Sequence, residues 1–384
     1  MKRFLAVLLI VGLIVALGGC GGKKAEDKQA GDSKSKEPIK IGWVGALSGT
    51  NAILGKWDTH GIELAFDELN AKGGIKGRPL KLIKYDDEGD PTKAVNVAQK
   101  LTTEDKVVAA FATPMSTPTL AVVPVFQKAK IPHITGALSA DITKKGSAFV
   151  FRNTAAGPAY EVPLIEYLVK KGFKKYAIIT DTGAYGKGEA DYQQAALKSR
   201  GIESLTRENY NPEDKDFSGQ LNNIIKLNPE VLLFGGSEVA SGLIAKQARQ
   251  LGFKGQLAGG AAIGTSKYIE VAGAEVANGT IYSNPYITND LNDKTRDFAK
   301  RYKAKWGYEP ESHGAKAYDG ALMLIIALQK AGANLTGEEV AKQLHAIKDF
   351  DGLQGKFSYD DKGEGIAKAQ VGVVKDGQLV PVKD

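Results

Sequence analysis

The sequence predicts an α/β fold made of two Rossmann-like lobes, and three observations lead there. Short apolar runs alternate with amphipathic stretches of helical length, in two successive sets, the pattern of parallel sheets covered on both faces. The chain has 384 residues, comfortable for two domains at about 100–200 residues each. Its 45 glycines suit the tight strand-to-helix turns that such lobes need.

The first set opens with a strand from Ile39 to Ala46, turned by Ser48-Gly49. Gly55 to Asn70 reads as a helix, because Ile62, Leu64, Ala65, Phe66 and Leu69 recur at helical spacing. The glycine-rich reversal Lys72-Gly73-Gly74-Ile75-Lys76-Gly77 leads into a strand from Leu80 to Tyr85. A helix from Pro91 to Leu101 has proline near its start, where the missing N–H costs nothing. Val107 to Ala112 is a strand, Pro118 to Ala129 a helix and Ile131 to Thr135 a strand.

The second set follows Gly157-Pro158, with a helix from Tyr160 to Lys171, a strand from Tyr176 to Thr180 and a helix from Glu189 to Arg200. Ser218 to Leu227 is helical, Val231 to Phe234 a strand and Ser241 to Leu251 a helix. Three helices then run from Thr295 to Trp306, Ala315 to Ala331 and Thr336 to Ile347. With too few strands to form a third domain, this segment is expected to return to the first lobe. The tail from Gly355 to Val382 reads as short strands, with a hairpin signal at Lys375-Asp376-Gly377.

The start of the chain is an address. Met1-Lys2-Arg3 is basic, and the apolar run from Phe4 to Leu17 falls short of the ~20 residues a bilayer-spanning helix needs. It suits a secretory signal. Leu17-Gly18-Gly19-Cys20 resembles the bacterial lipobox, which implies cleavage before Cys20 and a lipid on its thiol. Gly21 to Pro38 is polar and nearly free of large apolar residues, so it reads as a flexible tether reaching about 20–25 Å. Residues 1–19 are thus expected to be a signal peptide and 20–38 a lipidated tether.

Composition excludes several function classes. Cys20 is the one cysteine, so structural disulfides within the chain and multi-thiolate metal sites are ruled out by count. The formal charge is +7, but lysines alternate with acids along the chain instead of forming a basic patch, which argues against nucleic-acid binding. No Gly-x-Gly-x-x-Gly follows the first strand, and neither a phosphate-binding Gly-x-x-x-x-Gly-Lys-Ser/Thr nor a Gly-x-Ser-x-Gly elbow occurs. His60, His133, His313 and His345 show no paired metal spacing. No enzyme activity, cofactor or metal is expected.

Three stretches carry a family resemblance: Ile41-Gly42-Trp43-Val44-Gly45-Ala46-Leu47-Ser48-Gly49, Glu68-Leu69-Asn70-Ala71-Lys72-Gly73-Gly74-Ile75-Lys76-Gly77, and Tyr85-Asp86-Asp87-Glu88-Gly89-Asp90-Pro91. They resemble the leucine/isoleucine/valine-binding proteins, type I periplasmic solute-binding proteins of ABC transporters. The resemblance runs from Ile39 to at least Gly320. It implies two lobes joined by a three-crossing hinge, with lobe one at 39–157 and 284–355 and lobe two at 158–283 and 356–384. It also implies an ABC transporter permease as partner, a small apolar carboxylate as ligand and a monomeric chain outside the cytoplasmic membrane.

In an open parallel sheet, ligands sit beyond the carboxyl ends of the strands. Pro114-Met115-Ser116-Thr117-Pro118 follows a strand and opens a helix, so its free N–H groups favour an anion, and either Ser116 or Thr117 can cap. The resemblance puts the ligand carboxylate there, with Ser116 matching the family's serine. In Gly136-Ala137-Leu138-Ser139 it implies main-chain groups at Ala137 and a hydroxyl at Ser139, with Leu138 between them. In lobe two, Tyr185 matches the tyrosine that closes over the ligand. Leu54 stands where relatives carry a pocket aromatic, and Trp57 and His60 lie near the same loop.

The departures bear on the ligand. Relatives that bind α-amino acids pair the ammonium with a glutamate, and Ala261 stands at that position; Ser237 replaces a helpful tyrosine; Gly89 and Met115 occupy the places of a disulfide. A buried ammonium without a carboxylate costs several kcal/mol. Either Glu238 or Asp319 serves instead, or the ligand is an aliphatic or aromatic monocarboxylate with no ammonium. A ligand-sensing receptor without a transport partner is the alternative of another class.

Overall fold

Strands buried on both faces need helices on both sides, and the observed architecture supplies them. The computed structural model describes residues 37–144, 147–289, 292–333 and 335–382. The first sheet is built from β1 (Ile39–Gly45), α1 (Ala52–Ala71), β2 (Leu80–Asp86), α2 (Pro91–Thr103), β3 (Ala109–Ala112), α3 (Ser116–Ala129), β4 (His133–Thr135), α4 (Asp141–Lys144) and β5 (Val150–Arg152). Its strand order is β2-β1-β3-β4-β5, with every pairing parallel.

The second sheet grows from α5 (Pro158–Lys170), β6 (Tyr176–Asp181), α6 (Ala184–Lys198), β7 (Thr206–Tyr210), α7 (Ser218–Lys226), β8 (Val231–Gly235), α8 (Glu238–Gln250), β9 (Gln256–Gly259), α9 (Ser266–Ala272), α10 (Ala274–Ala277) and β10 (Ile281–Asn284). The chain then forms α11 (Asp293–Trp306), α12 (Ser312–Ala331) and α13 (Gly337–His345). A small antiparallel sheet, β11 (Phe350–Gly352), β12 (Gly355–Tyr359) and β13 (Gly365–Ile366), follows. β14 (Gln370–Lys375) and β15 (Gln378–Pro381) complete the second sheet, in the order β15-β14-β10-β9-β8-β6-β7. The expected hairpin is there: Asp376 and Gly377 both take positive φ, 51° and 74°, between antiparallel β14 and β15.

Each sheet has its own core. Trp43, Phe111 and Phe151 of the first sheet pack with Tyr302, Leu324 and Leu344 of the late helices, as their apolar periodicity required. Ile179, Phe234 and Leu257 pack with Tyr268 and Val374 in the second. α12 is buried almost all round because it lies against α1. At their crossing, a Cβ on Gly61 would meet the Gly314 carbonyl oxygen at 2.1 Å, so only glycine permits the approach.

Sequence and structure differ at identifiable places. β7 is an edge strand of polar residues and β9 is four residues long, so neither gives an apolar run to read. α3, α6 and α8 begin earlier than expected, at Ser116, Ala184 and Glu238, because their first turns are small and polar. The tail also divides later than residue 355: Phe357 and Tyr359 belong to the first core, and β14 is the first of the tail's strands to join the second sheet.

Candidate functional site

A cavity of about 240 Å³ lies between the carboxyl ends of the two sheets. Nearly every parallel strand feeds it through the loop that follows. Leu54 comes after β1, Gly89 after β2, Met115 to Pro118 after β3, and Gly136 and Leu138 after β4. From the other sheet come Asp181 and Tyr185 at the end of β6, Ser237 and Glu238 after β8, and Ala261 and Ala262 after β9. His313 and Lys316 of α12 complete the wall.

The start of α3 forms one part of this wall. Ser116 and Thr117 are the first two helical residues, and Pro118 has no N–H to give. The N–H groups of Ser116 and Thr117 find no acceptor among the described residues, whereas the Thr119 N–H already bonds the Met115 carbonyl at 3.2 Å. Neither side chain caps the helix, although either residue type can. The Ser116 Oγ accepts from the Ser139 N–H at 3.2 Å, which leaves its own proton to donate elsewhere. The Thr117 Oγ1 reaches the other sheet and accepts from the Ala184 N–H at 3.2 Å.

Ala137, Ser139 and Trp57 do not line the cavity. The Ala137 N–H donates to Thr135 Oγ1 at 3.1 Å and its carbonyl accepts from Arg152, so its main chain is already engaged. Ser139 stands behind Ser116, with its carbonyl accepting from Arg152 Nη2 at 2.8 Å. Arg152, fully buried and paired with Glu364 at 2.6 Å, therefore fixes the loop after β4. Trp57 is one layer back, stacked on His313 with ring centres 6.0 Å apart. His60 is away from the cavity, stacked on Trp306 at 3.6 Å, and His133 packs on Phe126 in the core.

On the opposite wall, the Tyr185 hydroxyl donates to Glu189 Oε1 at 3.1 Å, and the same oxygen accepts from the Gly260 N–H at 3.1 Å. Glu189 and Glu161 are buried together behind it; desolvation raises both, Glu161 to about 7. Ser237 caps α8, its Oγ accepting from the Ala240 N–H at 3.2 Å. Glu238 is 5% exposed and sits 3.3 Å from His313 Nε2 across the cleft. Of the two acids weighed for an ammonium, Glu238 faces the cavity, whereas Asp319 accepts from the Leu353 and Gln354 N–H groups and holds the β11–β12 turn. Met115 packs over Gly89, a Cβ on which would lie 3.2 Å from its Cε.

Sequence reasoning missed Asp181, His313 and Lys316. Asp181 accepts from the Gly183 N–H at 2.7 Å at the foot of α6, and desolvation raises its pKa. Lys316 carried one signal, a lone charge between Ala315 and Ala317. Its place in the wall is set by the α1–α12 crossing, which no local pattern reports. Cys20, the signal segment and the tether up to residue 36 lie outside the described residues.

Comparison with known proteins bears on the family and the fold. The periplasmic binding protein family model matches residues 38–378. The chain is similar to the Leu/Ile/Val-binding protein of Escherichia coli, 30% identical over 85% of this chain and 88% of that one. It is 29% identical to Leu/Ile/Val-binding protein homolog 3 of Brucella melitensis, over 89% and 93% of the two chains. A leucine-binding protein of Thermotoga maritima superposes with a TM-score of 0.84 at 27% identity, covering 90% of this chain and 98% of that one. A branched-chain amino acid transporter substrate-binding protein of Streptococcus pneumoniae, solved with isoleucine, gives 0.82 at 27% identity, covering 90% and 100%. By sequence and fold, this chain belongs to the periplasmic binding protein family.

Proposed function

We propose that the protein is the solute-binding component of an ABC uptake transporter and holds a branched-chain or other hydrophobic amino acid between its two sheets. The observation that carries this reading is the pair of unbonded N–H groups at Ser116 and Thr117, which point a helix start at the cavity and suit a carboxylate. Leu54, Met115, Leu138 and Ala261 offer apolar contact to the side chain, and Glu238 or Asp181 receives the ammonium. The named ligands of the relatives support the same class.

The ligand enters as a clamp. Its carboxylate binds the first-sheet wall, and Tyr185, Ser237 and Glu238 then complete the cage from the second. The bonds Ala184–Thr117, Ala140–Tyr192 (2.9 Å) and Glu238–His313 already cross between the two walls, so closure has its own contacts. A solute that turns a mostly open population into a mostly closed one must favour closed by about 10⁴-fold, and only second-wall contacts supply that difference. Export by the signal sequence and a lipid on Cys20 place the protein at the outer face of a membrane, beside its permease. It does no chemistry on its solute.

A second reading, a monocarboxylate without ammonium, is favoured by Ala261, which puts a methyl group in the cavity where the family resemblance implies a glutamate in amino-acid-binding relatives. A thermal-shift screen of amino acids against their deaminated analogues separates the two, since a bound ligand raises the melting point. Stabilisation by leucine but not by 4-methylpentanoate supports the amino-acid reading; the reverse supports the second. Stabilisation by neither removes both.

A further inference from the structure

The cavity wall holds one charge that the carboxylate reading leaves unused. Lys316, in the second turn of α12, is 1% exposed, and its Nζ has no hydrogen-bond partner among the described residues. It shares a helix face with His313, three residues before, and both line the cavity. Two carboxylates lie close enough to feel its charge, and each has a nearer partner. Glu238 faces His313 at 3.3 Å, and Asp58 accepts from Trp43 Nε1 at 2.7 Å. Desolvation lowers the lysine's pKa to about 8, so it is still largely charged at neutral pH. A buried cation without a contact partner costs several kcal/mol. That penalty is relieved when a solute brings an anionic oxygen to it.

We propose that the solute of this cleft carries a second carboxylate, which docks on the Lys316 ammonium while the first rests at the start of α3. This rests on the carboxylate reading of that helix start but replaces the apolar side chain of the ligand proposed above with a second carboxylate. The two anion-binding points differ in kind, one a pair of neutral amides and the other a full charge, so they orient the molecule. Leu54, Leu138 and Ala261 cover its methylene chain. Acidic amino acids are the zwitterionic members of the class, with Glu238 or Asp181 meeting the ammonium; simple dicarboxylic acids are the others.

Titration calorimetry of the folded protein at pH 7 with two pairs, glutamate against leucine and glutarate against 4-methylpentanoate, tests this. In at least one pair the dicarboxylate is expected to bind about ten- to hundredfold tighter, the range of one bond to a charged group. Lys316→Met is expected to abolish that preference, and Lys316→Arg to restore part of it. Whichever pair shows the preference tells whether the solute carries an amine. Leucine and 4-methylpentanoate each binding as tightly as its partner overturns the proposal and leaves the helix-start reading intact. The unmutated protein alone decides this, even if Lys316→Met fails to fold. Failure of all four solutes overturns both.

Discussion

Ser116→Ala separates the recognition role of this residue from its structural one. The Ser116 Oγ accepts the Ser139 N–H at 3.2 Å, so in the folded protein its hydroxyl proton is left for a ligand oxygen. Removing a donor to a charged acceptor costs about 1.5–3 kcal/mol, or about ten- to hundredfold in Kd. The orphaned Ser139 N–H adds a separate penalty of about 1 kcal/mol to the unliganded fold, measurable as a lower urea midpoint. Calorimetry with a carboxylate ligand and with its neutral amide closes a double-mutant cycle. The expected result is a large loss for the carboxylate, a small loss for the amide and a coupling of about 1 kcal/mol or more. Equal losses for both ligands, or none, would refute the assignment of the ligand's charged head to α3.

The remaining expectations concern closure, the loop after β4 and pH. Tyr185→Ala is expected to weaken binding and leave the liganded protein expanded in solution scattering; full compaction would show that this ring does not drive closure. Arg152→Met strands Glu364 and the carbonyls of Ala137 and Ser139, and is expected to destabilise by about 3–5 kcal/mol; denaturant unfolding that shows under about 1 kcal/mol would contradict this. Burial raises Asp58, Glu161 and Glu311 to about 7, and Asp87 and Asp319 to about 6, so between pH ~4 and 7 the folded state binds more protons than the unfolded. Their contribution is present below pH ~4 and lost as pH rises through 6 to 7. His60, lowered by burial to about 4, and His133, to about 3, act in the opposite sense below pH ~6.5. The carboxyls outnumber the imidazoles, so the unliganded urea midpoint is expected to be higher at pH 5.5 than at pH 8; the reverse order would contradict it.

Much of this was legible because parallel strands announce themselves. Ile178 and Ile179 in β6, and Leu232 and Leu233 in β8, are buried on both faces and read as apolar runs. The helix after β3 was legible from Pro118, two residues inside its observed start at Ser116, and Tyr185 through the family resemblance. What stayed hidden depends on contacts distant in sequence. Ala137 stands outside the cavity lining, with its carbonyl held by Arg152, fifteen residues later. Lys316 and His313 reach the cavity only because α12 crosses α1 at Gly61. The division of the tail depends on Phe357 and Tyr359 finding the first core, which a five-residue strand cannot signal alone.

A crystal structure with bound solute is the most direct test of the central claim. The expected result is a carboxylate within hydrogen-bond distance of the Ser116 and Thr117 amides, enclosed by Tyr185 and Glu238 from the other wall. A solute bound outside this cavity, or one presenting a cation or a neutral sugar to the start of α3, would contradict it.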